Sequence, residues 1–313
     1  MKESLLLITV VLRHLEPENT REVIKLKKDP IINKVAAVHD ISGFGRASLT
    51  TIIPVLATMG IQTCPVPTAV LSTHSGGFEG YTFKDLTDEI PGYINHWKNL
   101  GLTFNCIYSG FLGSEKQISI LMDIIKSFRN DDNLVVVDPV LGDNDVLYSS
   151  ISEAMVPEMR KLIEYADIIT PNCTEAKILL DTNELPSIET GKKWLKQLSD
   201  MGPKAVIITS FPGNDCSLSN IAYERESDEY WIMPTELLPA NYPGTGDLFA
   251  SVLIGSIING ENLPVSIAIA SKFVYECIRH SSKFDYPNRN GVLLEQMLPS
   301  LKTPFNNLIY KKI

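Results

Sequence analysis

From Lys34 onward the chain repeats one pattern: a short apolar run, a polar or glycine-rich stop, then a longer stretch with apolar residues at helical spacing. The runs Val35–Val38, Cys106–Tyr108, Leu134–Val137, Asp167–Thr170 and Ala205–Thr209 lack the alternation of a half-exposed strand, so they read as strands buried on both faces. Between them, Ser48–Met59, Glu115–Ser127, Ala154–Tyr165 and Ile188–Leu198 read as helices. Strands alternating with helices bury both faces of a sheet, which predicts a three-layer α/β/α domain around a central, mostly parallel sheet. Residues 211–237 depart from the pattern: after a polar turn at Pro212–Asp215, Ile221–Arg225 and Glu229–Met233 predict an antiparallel hairpin at one sheet edge. Two strongly apolar helices, Asp247–Ile258 and Val265–His280, follow. With no linker, charge block or repeat, residues 34–313 read as one domain and residues 1–33 as an N-terminal extension without an assigned role.

Composition removes several classes of function. A net charge of −9 and a pI near 5.1 repel phosphate backbones, which argues against nucleic-acid binding. The five cysteines contain no C-x-x-C pair, so neither a disulfide framework nor a zinc site is expected, as suits a reducing cytoplasm. No apolar run approaches the roughly 18 residues that span a bilayer. Leu5–Leu12 is followed by Arg13, Glu16, Glu18, Arg21 and Glu22 rather than by a small-residue cleavage site, so a signal peptide is not expected.

In an open parallel sheet, ligands sit at the carboxyl ends of the strands. The residues there are 39–45 (His-Asp-Ile-Ser-Gly-Phe-Gly), Ser72–Gly77, Ser109–Gly113, Asp138–Asp143, Pro171–Glu175 and Thr209-Ser210, almost all polar, acidic or glycine-rich. Pro243-Gly244-Thr245-Gly246-Asp247 opens an apolar helix. Glycines at that point let backbone N–H groups converge, and the helix terminus adds partial positive charge for an anion or a transferring phosphoryl group. Asp247 could take a proton from a nearby hydroxyl as a general base; equally, the segment could be a tight turn with Asp247 as a cap. Asp138, Asp143 and Glu175 offer oxygen ligands for a hard cation such as Mg²⁺, or they could cap helices and turns.

The set Gly244-Thr245-Gly246-Asp247, Asp138-Pro139-Val140-x-Gly142-Asp143 and Thr170-Pro171-Asn172-x-x-Glu175 resembles the ribokinase superfamily. Ser109–Ser114, Thr73-His74-Ser75-Gly76 and Gly-Thr-Gly-Asp-Leu-Phe-Ala make the chain similar to the pyridoxal (vitamin B6) kinase family, bacterial pyridoxamine and pyridoxal kinases included. The resemblance runs from about Val35 to the last helix. It implies a ribokinase-like fold, a cytoplasmic homodimer, and ATP-dependent phosphorylation of the hydroxymethyl group of pyridoxal, pyridoxamine or pyridoxine. By the same resemblance, Asp247 is the base and the amides of Gly244, Thr245 and Gly246 form the anion hole. Asp138, Asp143 and Glu175 would organise Mg²⁺ and a monovalent cation such as K⁺, through waters or directly. Asn172, Thr209 and Ser210 would line the phosphates; Thr73, His74 and Phe111 would meet the pyridine ring.

Two departures stand out. Many B6 kinases carry Gln-Ser-His where this chain has His39-Asp40-Ile41, which puts Asp40 at the position that touches the pyridine nitrogen, and Ser42–Arg46 replaces the usual Val-Val-Tyr-Gly loop. A carboxylate there is expected to favour a protonated ring or an amine-bearing vitamer. The alternative within the fold is a hydroxymethylpyrimidine kinase of thiamine synthesis, with Asp40 on the aminopyrimidine edge. An NAD-dependent dehydrogenase would use Gly43-Phe44-Gly45-Arg46-Ala47-Ser48, yet Ser48 replaces the third glycine and no acidic residue ends Ile61–Leu71. A non-catalytic vitamer-binding protein would have no need of Asp247.

Overall fold

The computed structural model describes residues 31–213 and 218–313; most of the N-terminal extension and part of the Pro212–Asp215 turn lie outside the described residues. The strands are β1 (Asn33–Ser42), β2 (Ile61–Leu71), β3 (Phe83–Asp85), β4 (Cys106–Ser109), β5 (Leu134–Val137), β6 (Gly142–Asp143), β7 (Val146–Leu147), β8 (Ile168–Ile169), β9 (Ala205–Pro212), β10 (Leu218–Glu224), β11 (Glu229–Thr235) and β12 (Lys311–Lys312). All but β6 and β7 form a single sheet in the order β12-β11-β10-β9-β8-β5-β4-β1-β2-β3. The inner pairs from β9 to β2 are parallel, and the expected edge hairpin, β10 with β11, is antiparallel.

The helices are α1 (Leu49–Thr58), α2 (Ile90–Asn99), α3 (Glu115–Phe128), α4 (Met155–Ile163), α5 (Cys173–Leu180), α6 (Ile188–Asp200), α7 (Thr245–Ile258), α8 (Leu263–Ser281) and α9 (Leu294–Met297). They fall on two sides. Leu49, Ile52 and Val55 of α1 pack with α7 and α8 against Val35, Ala37, Tyr108 and Val136 on one sheet face. Residues of α2 to α6 pack with Ala36, Val38, Ile107 and Val135 on the other. Alternate residues of each inner strand thus enter opposite cores, which is why these strands read as continuous apolar runs. In α7 every residue from Leu248 to Ile258 is buried, because the helix lies between the sheet and its neighbours α1 and α8. Among the described residues, no helix is long and apolar enough to cross a membrane.

One strand is longer than expected. β1 continues through His39 and Asp40 to Ser42, and its register against β2 shifts between His39 and Ile41. Residues expected in a loop are therefore held on a strand, and Asp40 has a fixed place.

Candidate active site

At the C-terminal ends of the parallel strands, α7 begins on Gly244, whose backbone is left-handed (φ +79°). A Cβ at Gly244 would sit 2.0 Å from the carbonyl oxygen of Arg46, so only glycine lets this turn press against the loop after β1. The first-turn amides of Thr245, Gly246 and Asp247 have no acceptor within the helix and carry its positive dipole end. Gly246 is exposed, and the Asp247 side chain keeps 15% of its surface open.

The other Asp247 oxygen contacts come from β1 and its loop. Oδ2 accepts the Ser48 backbone N–H at 2.7 Å. The Ser48 hydroxyl donates to Asp40 Oδ1 at 2.6 Å, and Ser42 donates to Asp40 Oδ2 at 3.1 Å. One serine thereby ties two acids together, from a strained backbone (φ 52°, ψ −139°) of the kind that persists only where surroundings over-determine it. The loop is strapped from outside. Arg46 donates to Glu295 at 2.8 Å, to the Tyr286 hydroxyl and to the Asn290 carbonyl, while Tyr286 donates to the Gly291 carbonyl.

Burial pushes the Asp247 carboxyl up to about 7, with a further rise from the Asp40 charge and an opposing pull from the Ser48 amide. Asp138, 8% exposed, lies under the same turn: a Cβ on Gly246 would be 3.6 Å from its Oδ2. Burial, then repulsion from Asp247, push Asp138 up to about 8. Glu175 is raised well above its ordinary range by burial and by Asp138, and both its oxygens are engaged, by the Leu141 N–H at 3.1 Å and the Asn172 N–H at 2.8 Å. Asp143, on β6, accepts from the backbone and side chain of Asn144. Among the described residues, no three acidic, histidine or cysteine side chains are arranged to hold a metal ion directly.

The remaining sequence candidates separate. Asn172 caps α5 through the Glu175 N–H and donates to the Gly142 carbonyl at 2.8 Å, tying the β6 turn to the strand end. Thr209 bridges to Asn172, and Ser210 (φ 51°) donates its N–H to Asn220. His74 is 6% exposed and fully engaged: Nδ1 accepts the Gly76 N–H, so Nε2 donates to the Arg289 carbonyl at 2.8 Å. Its ring fills the space a Cβ on Gly45 would need and meets Phe78 edge-on. Thr73 has a buried hydroxyl, and Phe111 packs half-buried on the α2–α6 side of the sheet, the face away from α7. His74 thus builds the wall between the first loop, the 72–78 loop and the C-terminal strap. The sequence points to Arg46 and Ser48 only as part of the first loop and gives no sign of the strap or of their tie to Asp247. The partners lie about 200 residues or more apart in the chain, and no local pattern announces them.

The family model described as phosphomethylpyrimidine kinase matches residues 55–291. A Bacteroides thetaiotaomicron protein assigned to the phosphomethylpyrimidine kinases, crystallised with pyridoxal, is 48% identical, with a TM-score of 0.86 over 90% of this chain and 100% of that one. Pyridoxal kinase from Lactobacillus plantarum is 28% identical, with a TM-score of 0.79 over 86% of this chain and 96% of that one. Pyridoxal kinase from Dictyostelium discoideum is 29% identical over 252 residues, 74% of this chain and 82% of that one.

Proposed function

We propose that this chain, which belongs to the phosphomethylpyrimidine kinase family, transfers the γ-phosphoryl group of ATP to the hydroxymethyl group of a B6 vitamer. The single observation that carries the reading is Asp247: a partly open carboxylate held by the Ser48 amide, beside helix-terminal N–H groups at the strand ends. Phosphoryl transfer needs little beyond that, a group to take the alcohol proton and fixed donors where charge develops. The binding of pyridoxal by the Bacteroides thetaiotaomicron protein and the names of the other two relatives support the choice of alcohol.

In this reading Asp247 orients the alcohol and takes its proton, and the amides of the Gly244–Gly246 turn hold the migrating phosphoryl group. Asn172, Thr209 and Ser210 line the nucleotide side of the same strand ends, and Thr73 and His74 the ring side. Magnesium fits beside Asp138, a buried carboxylate whose repulsion with Asp247 a cation offsets and whose oxygens suit a hard ion. Bound there, Mg²⁺ would neutralise phosphate oxygens and keep most of its waters. Glu175, with both oxygens occupied by amides, acts by holding Asn172 and the 141–142 turn, and Asp143 would add negative charge near a bound cation.

A panel of pyridoxal, pyridoxamine, pyridoxine and hydroxymethylpyrimidine with Mg-ATP, followed by ADP release, tests the reading. Turnover of at least one vitamer well above hydroxymethylpyrimidine supports it. Turnover of hydroxymethylpyrimidine alone replaces it with a hydroxymethylpyrimidine kinase. Sedimentation of the purified protein checks the homodimer.

Two predictions arise from Asp40. Its carboxylate is buried, 5% exposed, and in this reading it meets the ring nitrogen, so Asp40→Ser should lower kcat/KM for pyridoxamine more than for pyridoxal. An unchanged ratio removes Asp40 from vitamer selection. Because the Asp247 carboxyl must be ionised to accept a proton, kcat/KM should rise with pH through a limb near 7. Asp40 raises that limb by its charge, so Asp40→Asn should move it to lower pH in a pH–rate profile, whereas an unmoved or higher limb contradicts the assignment.

A further inference from the structure

Four adjacent inner strands carry a polar row on the α7 side of the sheet. Val38, Ser109, Val137 and Ile169 are in register across β1, β4, β5 and β8. One residue further along the strands therefore come His39, Gly110, Asp138 and Thr170, all facing the helix that bears Asp247. Three of these positions are polar in what is otherwise an apolar core. The Gly110 position is empty for a reason: a Cβ there would lie 2.4 Å from His39 Cε1, so the histidine ring occupies it. That ring is wholly buried, lies 4.4 Å from the Tyr108 ring, and brings Nδ1 to 3.9 Å from Asp247 Oδ1. Among the described residues neither ring nitrogen has a hydrogen-bond partner. Leaving a buried polar group without a partner is costly, so an imidazole kept at such a place invites a functional explanation.

We infer that His39 is a positioning residue for Asp247: its neutral ring donates Nδ1–H to Oδ1, complementing the Ser48 amide on Oδ2. The inference rests on the reading of Asp247 as the base. At 3.9 Å the two atoms are one small side-chain adjustment, or one bridging water, from a hydrogen bond, and contacts of this kind shorten when substrate closes the site. With a donor on each oxygen, the carboxylate cannot rotate, and the lone pair facing the alcohol stays aimed. Burial holds the imidazole neutral, its pKa lowered to about 3, so it contributes a directed N–H and no charge. The Tyr108 ring, tilted 59° to the imidazole, packs against it and limits its rotation. Nothing in the row requires His39 to exchange protons with solvent, and its full burial excludes that.

The test separates donation from packing. His39→Leu fills the same space without a donor, and His39→Gln keeps an N–H within reach. In His39→Leu, kcat should fall about 10- to 100-fold, with the KM values for the alcohol and ATP within about twofold of wild type; His39→Gln should recover most of kcat. On an Asp247→Asn background, His39→Leu should add no further loss, as expected if the ring acts only through the carboxylate. Nitrogen-15 spectra of the imidazole, read on the free protein at pH 8, should show the Nδ1–H tautomer, and that reading needs neither turnover nor a variant that folds. An Nε2–H tautomer, wild-type kcat in His39→Leu, or equal losses in the leucine and glutamine variants each overturns the inference. An inactive wild-type enzyme would instead overturn the kinase reading, and the tautomer would still report whether the hydrogen bond exists.

Discussion

Replacing Asp247 with asparagine should lower kcat about 10²- to 10⁴-fold while the KM for either substrate moves little, because a base acts in the transition state and not in ground-state binding. The variant is a clean one. An asparagine oxygen can still accept the Ser48 N–H that Asp247 accepts at 2.7 Å, so the junction between α7 and the first loop is kept. Stability should move the other way. The Asp247 carboxyl is raised from 3.8 to about 7 by burial, so folding favours its protonated form. The stability from that preference is complete below pH 3.8 and is lost as pH rises through about 7. At pH 8 wild type therefore carries an ionised, buried carboxylate that the asparagine variant lacks, and the variant should melt at a higher temperature. A kinetic measurement and a thermal melt on the same preparation check both halves. A variant that loses activity and also melts lower at pH 8 would point to a structural role for the side chain.

The second large effect is expected at Gly244. Alanine there meets two penalties: a left-handed backbone, worth about 1–2 kcal/mol, and a Cβ driven to 2.0 Å from the Arg46 carbonyl oxygen. Something must move, and the neighbour is backbone of the first loop, two residues before the Ser48 amide that holds Asp247. Gly244→Ala should thus lower the melting temperature by several degrees and kcat by more than tenfold together. Gly60 supplies the control, since its φ is +80° and nothing lies within 4 Å of its missing Cβ. Gly60→Ala carries the backbone strain without the collision, and should cost about 1 kcal/mol with kcat unchanged. Equal behaviour of the two alanine variants would remove the argument that the turn is packed against the loop.

Much of this arrangement is legible in the chain, for identifiable reasons. Leu134–Val137 and Glu115–Ser127 are recovered almost to the residue because both cores press on the strand and because Ser114 accepts the Gln117 N–H as a cap. The edge strand Phe83–Asp85 is not legible: it has three residues, all exposed, and nothing distinguishes it from a loop. Helix α2 is missed because Pro91 and Gly92 stand at its start and only Ile90 and Ile94 are buried. β1 outruns its apolar run because His39 and Asp40 are buried polar residues, which hydrophobic patterning reads as the end of a strand.

The site divides along the same line. Asp247 beside its glycines is a local motif, so contiguous residues announce it. The serine that holds it, the strapped arginine and the histidine behind it all come from the first strand and its loop, about 200 residues before Asp247 in the chain, and only the folded sheet brings them to it. Capping shows a further limit. Glu175 has the chemistry of a cation ligand, yet its two oxygens are spent on the N–H groups of Leu141 and Asn172, a fact that composition does not reveal.

The central claim is that the Asp247 carboxylate reaches the alcohol that receives the phosphoryl group. A crystal structure with pyridoxine and a non-hydrolysable ATP analogue measures this. The account predicts an Asp247 oxygen about 2.6–3.2 Å from the hydroxymethyl oxygen, with the γ-phosphate on the far side of that oxygen at the Gly244–Gly246 amides. A well-ordered alcohol pointing away from Asp247, with the γ-phosphate off the helix terminus, would contradict it.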